Sequence, residues 1–396
     1  MSLRNFTSHH EMRRKTYLKI INALRAGVNS KRGIQDHSGL SWGSCSPVIN
    51  HLLSQKVIVT QGINNEGKPG RGRKTRFFNF NREKFLLMGM EIDTMRITSC
   101  LTTLGNKQLG SYTTGFDQSI TTKNIFKYIT KAFLECREKL QLEPENVICI
   151  SFSIPGAVDV ERNTWLYCER VPDINEIDFS HLSGKGVLPK YLYIQHNIHA
   201  QVYSVIPTAE IKENDYVFIH VGQGMAMSAN MGGILYGHRG FAGEIGHIPY
   251  ANIKKDVICL CGKKNCLEAV LNAKKILKYI SDNFDCDVRS LKEIKDEEII
   301  RKVALDYLLD PLIYVSTIVS NIFDPKRMII EGSVLEPFYK YLITAFEKRL
   351  RQTTWLNGPA EVVWYQSTDM DGSYGAILHS SERIMEDFIN EIDMDH

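Results

Sequence analysis

The chain has 396 residues, 43% of them hydrophobic and 23% charged, which is enough apolar material for at least two folded units and unlike a disordered or collagen-like sequence. No uninterrupted apolar run approaches the roughly 18 residues of a membrane span, and Met1–His10 is polar without a signal-peptide core, so a soluble cytoplasmic protein with no membrane insertion is expected. The net charge of +3 hides an asymmetry: residues 1–84 hold 16 basic and 4 acidic residues, a net +12, and the remainder is −9.

A basic module joined to an acidic body is the electrostatic footprint of a nucleic-acid reader fused to something that is not one. Within the module, Tyr17, Ile20, Ile21 and Leu24 recur at helical spacing, and Gly27 is placed to end a first helix over 12–26. A second short helix follows Ser30 and runs to His37, and the glycine-containing turn at 37–41 joins it to a third. Val48, Ile49, Leu52 and Leu53 give that third helix one apolar face. Residues 57–60 read as a strand, 61–74 as a Gly-rich basic turn and 75–80 as the returning strand.

Helices in this order, followed by a basic hairpin, predict a winged helix-turn-helix domain over 1–84. The third helix would enter the major groove of double-stranded DNA, with Ser41, Trp42, Ser44, Ser46 and Asn50 toward base edges. Lys68, Arg71, Arg73, Lys74 and Arg76 suit phosphates or a narrow minor groove. Pro47 admits two readings: inside the helix it removes a hydrogen bond, and behind a Ser46 N-cap it would be the first helical residue.

From Phe85 the pattern turns to strands at 85–92, 96–103 and 107–116, a helix over 121–140, and a strand at 146–154 broken by Pro155 and Gly156. A strand at 190–195 and an apolar helix containing Ala200, Val202, Tyr203 and Val205 follow. The order then starts again, with strands at 215–221 and 225–231 and a short one at 233–236. Helices, a strand at 327–332, a helix over 336–351, a strand at 360–366 and a last helix from Ser373 complete it. Such repetition predicts a duplicated α/β fold with a cleft between its halves. The expected boundaries are 85–196, joined by the C-terminal helix 379–396, and 197–378.

Six of the nine cysteines (Cys45, Cys100, Cys136, Cys149, Cys168, Cys286) show no spacing pattern and read as small core residues. Cys259, Cys261 and Cys266 crowd into eight residues, downstream of His247. Three thiolates and one imidazole are what a four-coordinate structural Zn²⁺ takes, and a reducing cytosol favours metal over disulfide. One Zn²⁺ per chain is expected. With four protein ligands there is no open position for catalysis, and the H-x-E motif of the zinc deaminases is missing.

At these residues the chain resembles the ROK family, the repressors and sugar kinases that share an actin-like, ribonuclease-H-like double domain. Residues 38–58 fall on the family repressors' helix-turn-helix, 153–159 are similar to its Pro-Gly-x-Val-Asp loop, and 240–247 with 259–268 match its most specific signature. Residues 321–332 and 371–376 are similar to its C-terminal segments, and the whole looks most like its sugar-responsive repressors. The resemblance implies a sugar site made of Gly156, His196, Asn197, Glu244, His247 and Glu268. Carboxylates accept sugar hydroxyls, and a histidine pinned to zinc through one nitrogen can present the other to a ligand.

The departures point away from catalysis. The kinases' general base, an aspartate, falls at Asn197, and an amide cannot take a proton from a hydroxyl. Their first phosphate loop falls on Glu91–Met95 without its glycines, the second reads Gly222-Gln223-Gly224, and the Gly-Gly near adenine becomes Glu331-Gly332. The expectation is a non-enzymatic repressor of carbohydrate-related genes, a homodimer or homotetramer that does not use ATP and is controlled by a sugar or sugar phosphate. The alternatives are control by a regulatory protein partner, with the sugar site vestigial, and a carbohydrate kinase carrying a DNA-binding domain.

Overall fold

The computed structural model describes residues 9–61, 76–171, 173–208, 215–238, 240–252, 256–359 and 361–394. Lys68, Arg71, Arg73 and Lys74, and with them the expected basic turn, lie outside the described residues. Packing divides the chain into two compact units. The first comprises Met1–Ser153, Asp178–Ile194 and Ala376–His396, and the second Ile154–Ile177 and Gln195–Gly375.

The chain begins with α1 (His9–Arg25), α2 (Lys31–Ser38) and α3 (Trp42–Ser54). Tyr17, Ile20, Ile21 and Leu24 are buried as their spacing predicts, and Gly27 takes a φ of +78° just past the helix end. Ser30 caps α2 by accepting the Gly33 N–H at 3.1 Å, and Ser41 caps α3 by accepting that of Ser44 at 3.2 Å. Of the two readings of Pro47, the structure takes the first: α3 is capped at Ser41, not Ser46, and Pro47 lies inside it. The proline denies the Gly43 carbonyl its helical partner, and Gly43 is exposed, so water can serve that oxygen.

Strands β1 (Ile58–Gln61) and β2 (Phe77–Phe80) pair antiparallel behind these helices. A buried hydrogen bond of 2.6 Å between Tyr17 Oη and His51 Nδ1 ties α1 to α3. Within the expected domain 1–84, Tyr17, Ile34, Ile49 and Phe80 share one hydrophobic core with Leu87, Cys149 and Tyr193 and with Ile384, Phe388 and Ile389 of the C-terminal helix, Ser381–Met394. Arg25 adds polar ties, donating from Nε to the Leu104 carbonyl at 3.0 Å and from Nη1 to Ser381 Oγ at 2.5 Å.

The first large sheet contains β3 (Leu86–Ile92), β4 (Arg96–Thr102), β5 (Gln108–Gly115) and β6 (Val147–Ile154). β3 and β4 pair antiparallel, as do β4 and β5, while β3 and β6 run parallel. Helix α4 (Ile125–Lys139) packs on β4 and β5, burying Ile125, Ile129, Ala132 and Phe133. A small sheet of β7 (Ala157–Asp159), β8 (Thr164–Tyr167) and β9 (Asn175–Asp178) follows. Its strands are too short for a periodicity signal, and the sequence reading did not include it. β10 (Tyr191–His196) joins the edge of the first sheet beside β6.

In the second unit, α5 (Asn197–Thr208) precedes β11 (Asp215–Val221) and β12 (Met225–Met231). The second sheet has the order β12-β11-β13-β14, with β13 (Arg327–Glu331) and β14 (Glu361–Tyr365) parallel to β11. Each large sheet therefore sets antiparallel neighbours beside parallel ones. The expected strand at 233–236 forms only an isolated bridge from Ile234 to Asn230. Leu235 donates to the Ala229 carbonyl at 2.9 Å, a turn-back on β12 that does not extend into a ladder, and Leu235 and Tyr236 are 42% and 36% exposed.

Helices α6 (Leu267–Val270), α7 (Ala273–Asn283), α8 (Glu297–Lys302), α9 (Leu309–Phe323), α10 (Tyr339–Thr353) and α11 (Asp371–His379) complete the chain with the C-terminal helix. A π-helical stretch, Val303–Leu308, joins α8 to α9 into the run Glu297–Phe323. That run is apolar and long enough to cross a membrane by length and composition, and 61% of its most apolar window is buried inside the protein.

Candidate functional site

The residues singled out around His247 come together in the second unit. Segment 243–247 lies flush on β12: a Cβ at Gly243 would stand 2.0 Å from the Met227 carbonyl oxygen, and one at Gly246 2.3 Å from that of Met225. Only glycine permits this approach, which sets the positions of Glu244 and His247. The knuckle turns at Gly262, φ +80°, whose N–H reaches the Cys259 carbonyl at 3.0 Å. Tyr250 N–H to the Asn265 carbonyl at 2.7 Å pins the knuckle to the segment that follows His247.

The four donor atoms of His247, Cys259, Cys261 and Cys266 all lie within 4.8 Å of one another. Cys261 Sγ and Cys266 Sγ are 3.7 Å apart, and His247 Nδ1 is 3.8 Å from Cys259 Sγ. A tetrahedron with metal–sulfur bonds of about 2.3 Å has edges of about 3.8 Å, so the donor set fits a metal ion. Burial pushes the Cys259 thiol up to about 12 and raises that of Cys266. A cation is what would make thiolates of them.

His247 turns its other nitrogen outward, with Nε2 3.6 Å from Glu169 Oε2 and 3.8 Å from Glu244 Oε2. Burial raises the Glu244 carboxyl above its ordinary value, opposed by His247 and reinforced by Glu169 and Glu268. Glu268, at the start of α6, accepts the Met225 N–H at 3.1 Å. His196 ends β10 and accepts the Ile198 N–H on Nδ1 at 3.3 Å. Burial, then His199, Arg170 and His220, push its imidazole down to about 3, which keeps it neutral. Asn197 is the first residue of α5. Gly156 takes φ +82°, where a Cβ would stand 2.3 Å from the Tyr167 carbonyl oxygen.

Two residues of this site were missed in the sequence. Glu169 and Arg170 form the tip of a turn closed by Val171 N–H to the Cys168 carbonyl at 3.1 Å, just after β8. No spacing marks them, because only the fold carries β8 to His247.

The segments aligned with phosphate loops are built differently. Asp93 accepts the Thr94 N–H at 2.7 Å and faces Arg96 Nε at 3.6 Å, so it closes the β3–β4 turn. Glu331, 2% exposed, meets His220 Nδ1. Of the α3 residues singled out, Ser44 and Asn50 are exposed, Ser46 is half-buried, and Ser41 is occupied as the helix cap. Trp42 is half-buried beneath Lys31, whose Nζ stands 3.5 Å from the ring centroid.

These features define a class: an α/β protein with mixed sheets, N-terminal helices, and a Cys3His knuckle beside converging glutamates. The chain belongs to the ROK family, whose sequence profile matches residues 87–382. Its fold is similar to that of a ROK family transcriptional regulator, a homologue of the E. coli MLC protein, at 18% identity and a TM-score of 0.69, over 96% of this chain and 100% of that one. It is also similar to a ROK hexokinase from Thermus thermophilus (17% identity, TM-score 0.59, 76% of this chain and 100% of that one). A ROK family glucokinase from Streptomyces griseus, solved with glucose and AMPPNP, matches at 19% identity and a TM-score of 0.57 over 74% of this chain and 97% of that one. At such identities the likeness is one of fold.

Proposed function

We propose that this protein is a cytoplasmic, DNA-binding transcriptional repressor of carbohydrate-related genes, controlled by a sugar or sugar phosphate in a site that has lost kinase chemistry. The observation that carries the reading is α3: capped by Ser41, exposing Ser44 and Asn50, and set in a segment of net +12. The α1–α3 helices with the β1–β2 pair are read as a winged helix-turn-helix, with Arg71, Arg73 and Lys74 at phosphates. Likeness to a regulator over 96% of the chain, against 74–76% for the two kinases, supports the same reading.

In the ligand site, Glu244 and Glu268 accept sugar hydroxyls, His196 and Asn197 donate, and Gly156 lets the backbone approach. His247, Cys259, Cys261 and Cys266 would hold one Zn²⁺, which supplies rigidity to the wall bearing Glu244 and Glu268 and leaves no open coordination position. Asn197 cannot accept a hydroxyl proton, so hydroxyls are held and not activated. Pairing into a homodimer or homotetramer would match a two-fold operator.

The test is selection of bound duplexes from a random DNA library by the full-length protein, then titration of the selected operator with and without sugars. Specific binding that a sugar or sugar phosphate shifts, and that Glu268→Ala makes unresponsive, is expected. No duplex binding at low salt would overturn the repressor reading, and sugar-dependent ATP turnover would restore the kinase. Operator release by a protein partner alone, with no sugar bound, would favour the regulatory-protein alternative.

A further inference from the structure

We infer that Pro47 turns the backbone of α3 into a base reader: having no N–H to give, it leaves the Gly43 carbonyl free to accept from an exocyclic amine, adenine N6 or cytosine N4, in the major groove of DNA. The inference rests on the DNA-binding reading and adds to it a specificity contact made by main chain.

Helix α3 is capped at Ser41, so Gly43 and Pro47 both lie inside it. In an unbroken helix residue 47 would donate to the Gly43 carbonyl, and a proline there leaves that oxygen without its bond. Among the described residues no donor from outside α3 takes the vacant place. Nor does a neighbour crowd it: the nearest atom to where a Gly43 Cβ would stand is Ser41 Oγ, at 3.7 Å. Gly43, Pro47, Asn50 and Ser54 recur at helical spacing, are all exposed, and line an open groove of about 780 Å³ whose other wall is α1. Cys45, Val48, Ile49 and Leu52 are buried on the opposite side. The freed carbonyl and the proline that frees it therefore lie on the exposed face with Asn50.

Glycine and proline both weaken a helix interior, and at exposed positions little packing offsets the cost. Two such residues one turn apart on the outward face point to a demand of binding and not of folding. In the free protein water serves the oxygen. When α3 enters a groove that water is displaced, and a carbonyl left without a donor is costly. Donors are scarce there: N7, O6 and O4 of the base edges accept, as do phosphate oxygens, and only adenine N6 and cytosine N4 donate. The Asn50 amide or a serine hydroxyl can turn from donor to acceptor, whereas a carbonyl only accepts. The base it meets is therefore adenine or cytosine, and guanine and thymine are rejected.

The test uses the full-length protein and the duplex it selects from a random library. In each half-site every adenine is replaced in turn by unsubstituted purine and every cytosine by pyrimidin-2-one, which removes one amine at a time. At one position per half-site the loss should weaken wild-type binding about three- to tenfold, the worth of one hydrogen bond. Pro47→Ala supplies the missing N–H to Gly43, so it should feel the same deletion by less than about twofold, melt at a higher temperature, and bind unrelated duplexes as wild type does, since no charge changes. Pro47→Val, which keeps an apolar side chain there, should match Pro47→Ala at that amine, and this separates the carbonyl from a contact by the proline ring. Wild type indifferent to every deletion, or Pro47 variants as sensitive as wild type at the same amine, overturns the proposal and leaves the repressor reading standing. So does a uniform loss by Pro47→Ala on operator and unrelated DNA alike, the result of a purely structural kink. No duplex binding by wild type at low salt overturns both.

Discussion

His220 Nδ1 and Glu331 Oε2 meet at 2.5 Å across the parallel pair β11–β13, where the two residues are register partners. Ligands of α/β sheets gather at the carboxyl ends of such strands. Here that edge carries a buried carboxylate satisfied by an imidazole, and His220 Nε2 lies 2.4 Å from where a Gly222 Cβ would stand. An ATP phosphate approaching the loop after β11 meets side chains and a negative charge. We expect no Mg-ATP binding in calorimetry and no phosphoryl transfer to any sugar. Asn197→Asp should not create a kinase, because a general base contributes only about 10²- to 10⁴-fold and the phosphate seat stays blocked.

Contacts to phosphates and to bases should separate by salt and by sequence. Neutralising Arg71, Arg73 and Lys74 together should weaken binding to every duplex and flatten the dependence of log affinity on log salt by about 0.9 per lost phosphate contact. Asn50→Ala or Ser44→Ala should cost about 1–3 kcal/mol on the selected operator and much less on unrelated DNA. Fluorescence anisotropy at several salt concentrations reads both effects. A uniform loss for Asn50→Ala would remove it from the base edges.

Elemental analysis should find one zinc per chain, lost on Cys261→Ser or Cys266→Ser together with thermal stability. The ligands that form the site also staple the knuckle to the segment after His247, so metal binding is partly folding free energy. A metal-free variant of unchanged melting temperature would reduce these cysteines to core residues.

Acid should destabilise the second unit through buried imidazoles. His199 is 2% exposed, against Ser228, His196 and Tyr236, and burial pushes it down to about 4. The native ring stays neutral while the unfolded one protonates below about 6.5. Nothing is lost above that value; between about pH 6.5 and 4, stability falls by about 1.4 kcal/mol per pH unit for this group. Denaturant titrations at several pH values should show a slope shallower by about one proton in His199→Gln. Identical slopes would locate the acid sensitivity elsewhere.

Much of this was legible in advance because it is encoded locally. Helical spacing of Tyr17, Ile20, Ile21 and Leu24 foretold a buried face, and alternation or apolar runs foretold β3, β4, β6 and β11. Where a run found only a single bridge, as at 233–236, the same pattern misled. Residue preference marks what a segment can do, and hydrogen-bonding partners decide whether it does.

The Cys3His knuckle could be read from the sequence alone, because its cysteines lie within eight residues and glycine at 262 allows the tight turn that gathers them. The charge division at residue 84 and the amide at position 197 were equally plain, being properties of residue type that folding does not alter. Tertiary structure decided the rest. It placed Pro47 inside a helix capped at Ser41, put Tyr17, Ile49 and Phe80 in a core shared with the C-terminal helix, and carried Glu169 to His247. Glu169 and His247 are 78 positions apart in the chain. A contact over such a distance is set by tertiary packing within one unit, and no local spacing can carry that information.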